Sequence, residues 1–390
     1  MPKELPLRYG MNPHQTFARA FVTHGELPLT VLNGAPGLIN VLDALNSWQL
    51  VRELRQTLDL PAAASFKHVS PAGAAVGIPL SQPLRQAYFI EDLELSPVAV
   101  AYARARYADA MSSYGDCAAL SHVADVPTAQ ILRREVSDLV IAPGYEPKAL
   151  DILKTKKKGK YLILQIDPDY EPPQREVRQL FGVMLEQDRN NAPLGPQLFQ
   201  KIVTRKRDLP VAAQRDLLLA AVALKYTQSN SVCFALDGQI IGMGAGQQSR
   251  LHCTRLAAAK ADLWWLRQHP EVLALRFKEG LSRPQRNNAI DKYLAEGVTR
   301  AEWRAVEDAF EDPPAALPEE EKQAWLDRLE GVALASDAYF PFRDSLDRAS
   351  ESGVKYVLQP GGSLRDEEVI QAADEYTMVM AFSDLRLFHH

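Results

Sequence analysis

Two segments of this chain carry the same order of patterns, and a chain that repeats one unit is constrained to fold as two similar halves. Val136-Ser-Asp-Leu-Val-Ile-Ala-Pro-Gly144 reads as a buried strand closed by a Pro-Gly turn. A helical stretch from Glu146 to Leu153 and the apolar strand Tyr161 to Ile166 follow it. Gly353 to Gly361 is again a strand ending in Pro-Gly, followed by a helical stretch from Asp366 to Glu375 and the strand Thr377 to Phe382. Ahead of each set, Ala64 to Lys67 and Ala223 to Lys225 read as matching apolar strand ends that finish in lysine, while Ala212 to Leu224, preceded by Asp208-Leu-Pro210, also reads as a helix. The second copy is longer, and its extra residues fall where the sequence turns helical and charged, from Leu263 to Leu329. Alternating strand and helix patterns predict an α/β protein with layered sheets. The expected domains are 1–195, then 196–262 together with 331–390, with 263–330 inserted as helices. Two such domains meeting face to face would leave a cleft between them, a preferred place for a ligand.

Composition narrows the partners. With 46% hydrophobic and 24% charged residues the chain is ordinary globular protein, not a disordered segment. Forty-four Lys plus Arg against 49 Asp plus Glu give a net charge of −5, which argues against general binding to nucleic acid. The longest apolar runs, such as Leu217 to Leu224, are too short to cross a bilayer, so no membrane partner is expected. Cys117, Cys233 and Cys253 are too few and too scattered for a disulfide framework or a Cys-x-x-Cys metal site. With no signal-peptide core after Met1, a reducing, cytoplasmic setting is expected.

Several polar clusters could carry chemistry. In Ser65-Phe-Lys-His-Val-Ser-Pro-Ala-Gly73 a strand ends at Lys67 and His68 and meets Ser70-Pro71, which reads as an N-cap and first-turn proline. That predicts a helix whose free N–H groups, with Lys67, would favour an anion or a developing oxyanion. A surface Lys beside a structural His is the alternative. Lys225-Tyr-Thr-Gln-Ser-Asn-Ser231 sets polar side chains in a row, suited to a polar ligand or to a plain turn. Gly242-Met-Gly-Ala-Gly-Gln-Gln-Ser-Arg250 has the wrong spacing for a dinucleotide loop, and its glycines are expected to form a turn that aims Arg250. Leu7 to Gln15 concentrates Arg8, Tyr9, Asn12 and His14. Ser336 to Asp344 sets two carboxylates around aromatic residues, as a flat heteroaromatic ligand or an aromatic core would require. The five lysines of Lys154 to Lys160 read as a solvated turn. No zincin, nucleophile-elbow, P-loop or zinc-deaminase pattern is present.

Taken in order, Leu-Arg-Tyr-Gly-Met-Asn-Pro-His-Gln15, Phe-Lys-His-Val-Ser-Pro-Ala-Gly-Ala-Ala75, Met-Ser-Ser-Tyr-Gly-Asp116, Arg-Glu-Val-Ser-Asp138, Lys-Tyr-Thr-Gln-Ser-Asn-Ser-Val232, Gly-Ala-Gly-Gln-Gln-Ser-Arg250, Ser-Asp-Ala-Tyr-Phe-Pro-Phe-Arg-Asp344 and Leu-Arg-Leu-Phe-His-His390 resemble the transformylase part of the AICAR transformylase/IMP cyclohydrolase family. The resemblance runs along essentially the whole chain, without the cyclohydrolase domain that precedes these motifs in the family, so no cyclohydrolase activity is expected. It implies duplicated cytidine-deaminase-like three-layer domains without the deaminase zinc. It also implies a homodimer with shared active sites and formyl transfer from 10-formyltetrahydrofolate to AICAR ribonucleotide, with no metal required. Carried over residue by residue, it makes Lys67, His68 and Asn230 catalytic. Arg8, Tyr9, Asn40, Gly115, Asp138, Arg250, Tyr339, Arg386 and His390 would contact the nucleotide, and Phe340 and Asp344 the folate. A folate or nucleotide sensor that kept the fold without catalysis is the rival reading.

Overall fold

The computed structural model describes residues 3–390. The chain opens with a short ribbon, β1 (Glu4–Pro6) antiparallel to β2 (Arg19–Phe21), and continues into β3 (Leu29–Asn33). A first run of elements follows: α1 (Leu38–Leu58), the hairpin β4 (Ala62–Lys67) and β5 (Ser70–Val76), the short α2 (Gln82–Ala87), α3 (Pro97–Tyr107), β6 (Asp116–Leu120), α4 (Val126–Arg134), β7 (Ser137–Ala142), α5 (Pro147–Lys154) and β8 (Leu162–Ile166). A second ribbon, β9 (Arg175–Leu180) and β10 (Val183–Asp188), leads to a second run: α6 (Val211–Lys225), the hairpin β11 (Val232–Leu236) and β12 (Gln239–Gly244), and α7 (Arg250–Leu266). Four helices intervene, α8 (Pro270–Leu273), α9 (Arg283–Leu294), α10 (Arg300–Glu307) and α11 (Glu319–Leu326). The run then resumes with β13 (Val332–Ser336), α12 (Asp344–Ser350), β14 (Val354–Gln359), α13 (Asp366–Glu375) and β15 (Val379–Phe382).

One mixed sheet of eleven strands holds the molecule together, in the order β15-β14-β13-β11-β12-β5-β4-β6-β7-β8-β3. Each run contributes a helix, an antiparallel hairpin, a second helix and three parallel strands joined by helices. Apolar clusters lie on both faces. One gathers Trp48, Leu54, Phe66 and Leu217 under α1 and α6, and the other gathers Tyr102, Leu120, Phe234 and Phe340 under α3 and α7. The α8–α11 helices carry their own cluster around Ile290, Tyr293 and Phe310. Among the described residues no helix is long and apolar enough to cross a membrane.

Four expectations change. The two halves do not meet face to face across a cleft. They meet edge to edge, β5 against β12 through the pair Ala75–Gln239, and Arg104 of α3 locks the junction by donating to Gln239 at 3.0 Å and to Asp237 at 2.9 Å. Ala223–Lys225 ends a helix rather than a strand, so the hairpin matching β4–β5 is Val232–Gly244. Finally, Ser70-Pro71 opens a strand, not a helix. His68 and Val69 take left-handed φ values of 51° and 59°, closing a two-residue hairpin turn between the paired Lys67 and Ser70. Pro71 sits at a register shift, where a strand tolerates a missing N–H. Tertiary packing overrides the capping signal because α3 presses onto β5: a Cβ at Gly73 would stand 2.1 Å from the Ala105 carbonyl. The same device recurs at Gly242, 2.0 Å from the Ala257 carbonyl, so that glycine serves strand–helix approach rather than a turn aiming Arg250.

Candidate functional site

The β4–β5 turn carries Lys67 and His68 past the end of the sheet, toward the starts of β6 and β7. Lys67 donates to the Tyr114 carbonyl, and His68 is exposed at the tip. Gly115 faces them with a φ of +76°, and a Cβ there would stand 3.2 Å from Lys67 Nζ and 3.5 Å from a carboxylate oxygen of Asp138. Lys67, Gly115 and Asp138 therefore share one small space. Asp138 accepts from Lys157 Nζ at 2.5 Å, and Lys156 donates to the Glu135 carbonyl. Part of the lysine run is thus drawn into ion pairing and burial rather than being a wholly solvated turn. Burial, with Lys157 and Arg106 nearby, pushes Lys156 down to about 8.

Beneath this space lies a buried ionic network. Arg106, 2% exposed, pairs with Asp116 at 2.8 Å and Glu135 at 3.1 Å, and donates to the carbonyls of Ser113 and Val136 at 2.8 and 3.2 Å. Val136 O in turn accepts the Gly115 N–H at 2.7 Å. Arg106 therefore ties down both segments that carry Gly115 and Asp138, through two carbonyl hydrogen bonds and two ion pairs.

The start of α1 supplies the other wall. Asn40 caps the Gly37 N–H at 2.9 Å, the Tyr9 ring lies against Gly37, and the Arg8 guanidinium sits over that ring at 5.3 Å. One turn further along α1, Asp43 accepts the Val69 N–H at 2.7 Å. Burial raises the Asp43 carboxyl above the ordinary range, with the Val69 N–H, His68 and Lys67 opposing that shift.

A second cluster forms around β11 and β13. Arg250, nearly buried, donates to the Ser231 carbonyl at 2.8 Å, to Asn230 Oδ1 at 2.9 Å, and to Asp337, with which it pairs. The fully buried Asp337 also accepts from the Ser229 hydroxyl at 2.5 Å and the Ser231 N–H at 3.0 Å. The Asn230 amide donates to the Gln248 carbonyl at 3.1 Å, so both ends of that side chain are held. The last residues are pinned here: Leu387 N–H to the Asp337 carbonyl at 2.8 Å and His389 N–H to Ser229 at 3.1 Å. Arg386 and His390 both pack on the Phe388 ring and line a cleft of about 1140 Å³ with Arg178, Arg189, Lys225 and Tyr226.

The structure thus groups Lys67, His68, Gly115 and Asp138 in one place, with Arg8, Tyr9 and Asn40 at the start of the helix whose Asp43 holds their turn, and Asn230, Arg250, Arg386 and His390 in another. Among the described residues no hydrogen bond or ion pair joins the two groups. Tyr339 is 47% exposed, and Asp344 opens α12 half-buried. Phe340 is corrected: it is fully buried, its N–H donating to Gln359 at 3.0 Å, so its ring offers nothing to a folate. The exposed aromatics of that loop are Tyr339 and Phe342. Sequence reasoning missed Asp43, Arg106 and Lys157 and gave Asp337 no role. A lone acidic residue on the buried, largely apolar face of α1 is the signal that could have found Asp43. Among the described residues no group of three or more His, Cys, Asp or Glu could hold a metal, and all three cysteines are buried and free.

Residues 1–260 match the family described as the AICARFT/IMPCHase bienzyme. The chain is similar to the bifunctional purine biosynthesis protein PurH of Magnetococcus marinus, 32% identical over 395 residues covering 98% of this chain and 59% of the relative. It is likewise 31% identical to that of Xylella fastidiosa (100% and 58%) and 32% identical to that of Dinoroseobacter shibae (98% and 59%). The chain therefore spans about three-fifths of the length of these curated relatives.

Proposed function

This chain belongs to the AICARFT/IMPCHase bienzyme family, and from that premise we propose that it transfers the formyl group of 10-formyltetrahydrofolate to the 5-amino group of AICAR ribonucleotide, giving the formamide and tetrahydrofolate. The observation that carries the reading is the Lys67–His68 pair, projected by a two-residue turn over Gly115 and Asp138. The amine is a weak nucleophile, its lone pair delocalised into the imidazole and carboxamide, so its proton must leave as the C–N bond forms. His68 takes that proton while the formyl C=O electrons move onto oxygen, and Lys67 stabilises the resulting oxyanion. Collapse of the tetrahedral intermediate breaks the bond to the folate nitrogen, which receives a proton from the protonated His68 or from Lys67. Asn230 orients the formyl oxygen through its remaining amide hydrogen.

In this reading Arg8, Tyr9, Asn40, Gly115, Asp138, Arg250, Tyr339, Arg386 and His390 position the nucleotide, and Asp344 faces the folate. The two runs of elements are two cytidine-deaminase-like domains, over 1–195 and over 196–262 with 331–390, and the intervening helices are an insertion. Two copies associate so that each site draws on both. The recurring helix–hairpin–helix order supports the first point, and the separation of the two residue clusters supports the second. Purified protein mixed with AICAR ribonucleotide and 10-formyltetrahydrofolate should release tetrahydrofolate, followed by absorbance. Protein that binds both compounds and releases none would overturn the proposal in favour of a sensor.

A further inference from the structure

The two hairpin turns of the central sheet are held in the same way but differ in charge. Asp43 is the sixth residue of α1 and Asp216 the sixth of α6. Each is buried, at 7% and 3% exposure, and each reaches the turn of the following hairpin. Asp43 accepts the Val69 N–H at 2.7 Å, whereas Asp216 accepts the N–H groups of Asp237 and Gly238 at 2.9 and 2.8 Å. A turn residue with left-handed φ, such as Val69 at 59°, is costly for a β-branched side chain, and an acceptor for its N–H offsets that cost.

The charge balance separates the two. Asp216 is neutralised on its own helix by Arg215, at 2.9 Å. Asp43 has no ion pair with any described Arg or Lys, and its second carboxylate oxygen accepts no hydrogen bond from a described residue. The charged or titratable groups that face it are Lys67 and His68 of the turn it holds, Asp138 of β7 and Cys117 of β6. Of these only Lys67 and His68 can bear positive charge.

We propose that Asp43 is a positioning residue for Lys67 and His68: its carboxylate fixes their turn through the Val69 N–H, and its otherwise unpaired charge holds the two basic side chains in place. The assignment rests on the formyl-transfer reading. It distinguishes Asp43 from Asp216, whose turn carries Asp237-Gly238 and no basic pair.

The test compares the wild type with Asp43→Asn, Asp43→Ala and Asp216→Asn. Asparagine is isosteric and still accepts the Val69 N–H but carries no charge. The expected result for Asp43→Asn is a fall in kcat of about tenfold or more, with KM for both substrates changed less than about twofold. Its Val69 amide should stay protected from hydrogen exchange, and its thermal midpoint should stay near that of the wild type. Asp43→Ala should lose Val69 protection as well as kcat. Asp216→Asn should keep wild-type kcat even where its midpoint drops. Wild-type kcat in Asp43→Asn, or a fall that appears only together with lost Val69 protection, overturns the proposal and leaves Asp43 a structural cap like Asp216. Absence of transfer from the wild type, or wild-type turnover in His68→Ala, overturns the formyl-transfer reading itself and the positioning role with it.

Discussion

His68 sits in a left-handed turn position at an exposed tip, where a ring has room to meet a substrate and no packing role to perform. Replacing it with alanine should therefore cost turnover and little stability: kcat lower by about 10²-fold or more, with the unfolding midpoint close to wild type. Lys67→Ala should be similarly impaired, and the double variant less than the product of the two, because both act on one step. Additive losses in steady-state assays would assign them to separate steps. Gly115→Ala combines a strained left-handed φ, about 1–2 kcal/mol for a non-glycine residue, with a Cβ crowding Lys67 Nζ. Both substrate affinity and stability should fall, read by KM and by denaturant midpoint. Lys156 supplies a pH test. Its folded pKa of about 8 lies below its ordinary 10.5, so between those values the unfolded chain binds the extra proton and stability rises with pH. The stability of the wild type relative to Lys156→Met should improve across that window and be flat below it. A constant difference from pH 7 to 10.5 would contradict the burial of this ammonium.

Elements carry the site by gripping each other at a few buried polar points. Glu135, 3% exposed, is one such point: it pairs with Arg106 of α3 and with Arg283 of α9 at 2.5 Å, and it accepts the Tyr107 hydroxyl at 2.7 Å. Arg283 also donates to the carbonyls of Tyr88 and Phe89, so the helices inserted in the second run dock on the first. Glu135→Gln leaves the part-buried Arg283 without its carboxylate partner and the buried Arg106 with Asp116 alone, and unfolding should become easier by about 1.5–3 kcal/mol, measured by urea titration. The sequence shows part of this grip and hides the rest. The strand–helix–strand order of 136–166 and 353–382 is legible because burial on both faces writes continuous apolar runs. Ser70-Pro71 misleads because a cap signal is local, while the strand it opens is fixed by α3 packing on Gly73. Lys225 misleads similarly: an apolar run is the same in a buried helix and a buried strand, and only its length separates them. Lys67, His68 and Asn230 stand out as polar residues at the ends of apolar runs, but Asp43, Arg106 and Asp337 act through partners distant in sequence. Phe340 fails for a related reason: three aromatics in one loop do not say which of them faces inward.

At the scale of the whole molecule, the residues proposed for the site fall in two clusters of one chain. Lys67, His68 and Asp138 stand at the turn of the first hairpin, while Asn230 and Arg250 gather before and after the second, with the C-terminal residues. The ribbon β9–β10 gives an independent reason to expect a partner. Both its strands are exposed almost throughout, with Phe181 fully exposed and Leu180, Val183 and Met184 more than half exposed. A two-stranded ribbon is marginal alone in water, and on one face of this one Leu180, Val183 and Leu185 lie together and exposed, which marks a contact. A two-fold pair would use one interface to complete two equivalent sites. Sedimentation should accordingly give a dimer, and replacing Leu180 and Leu185 together by aspartate should shift it toward monomer with loss of activity. The decisive measurement mixes two inactive variants. Lys67→Ala and Asn230→Ala homodimers should each be nearly dead, because losing a reacting or orienting group at every site raises the barrier. Unfolding and refolding them together should restore activity, since a heterodimer assembled across the interface holds one site with both residues intact and one with neither. Recovery approaching one working site per heterodimer supports shared sites. Heterodimers, verified by differential tagging, that stay inactive would place Lys67 and Asn230 in the same subunit's site, and a fully active monomer would remove the need for a partner altogether.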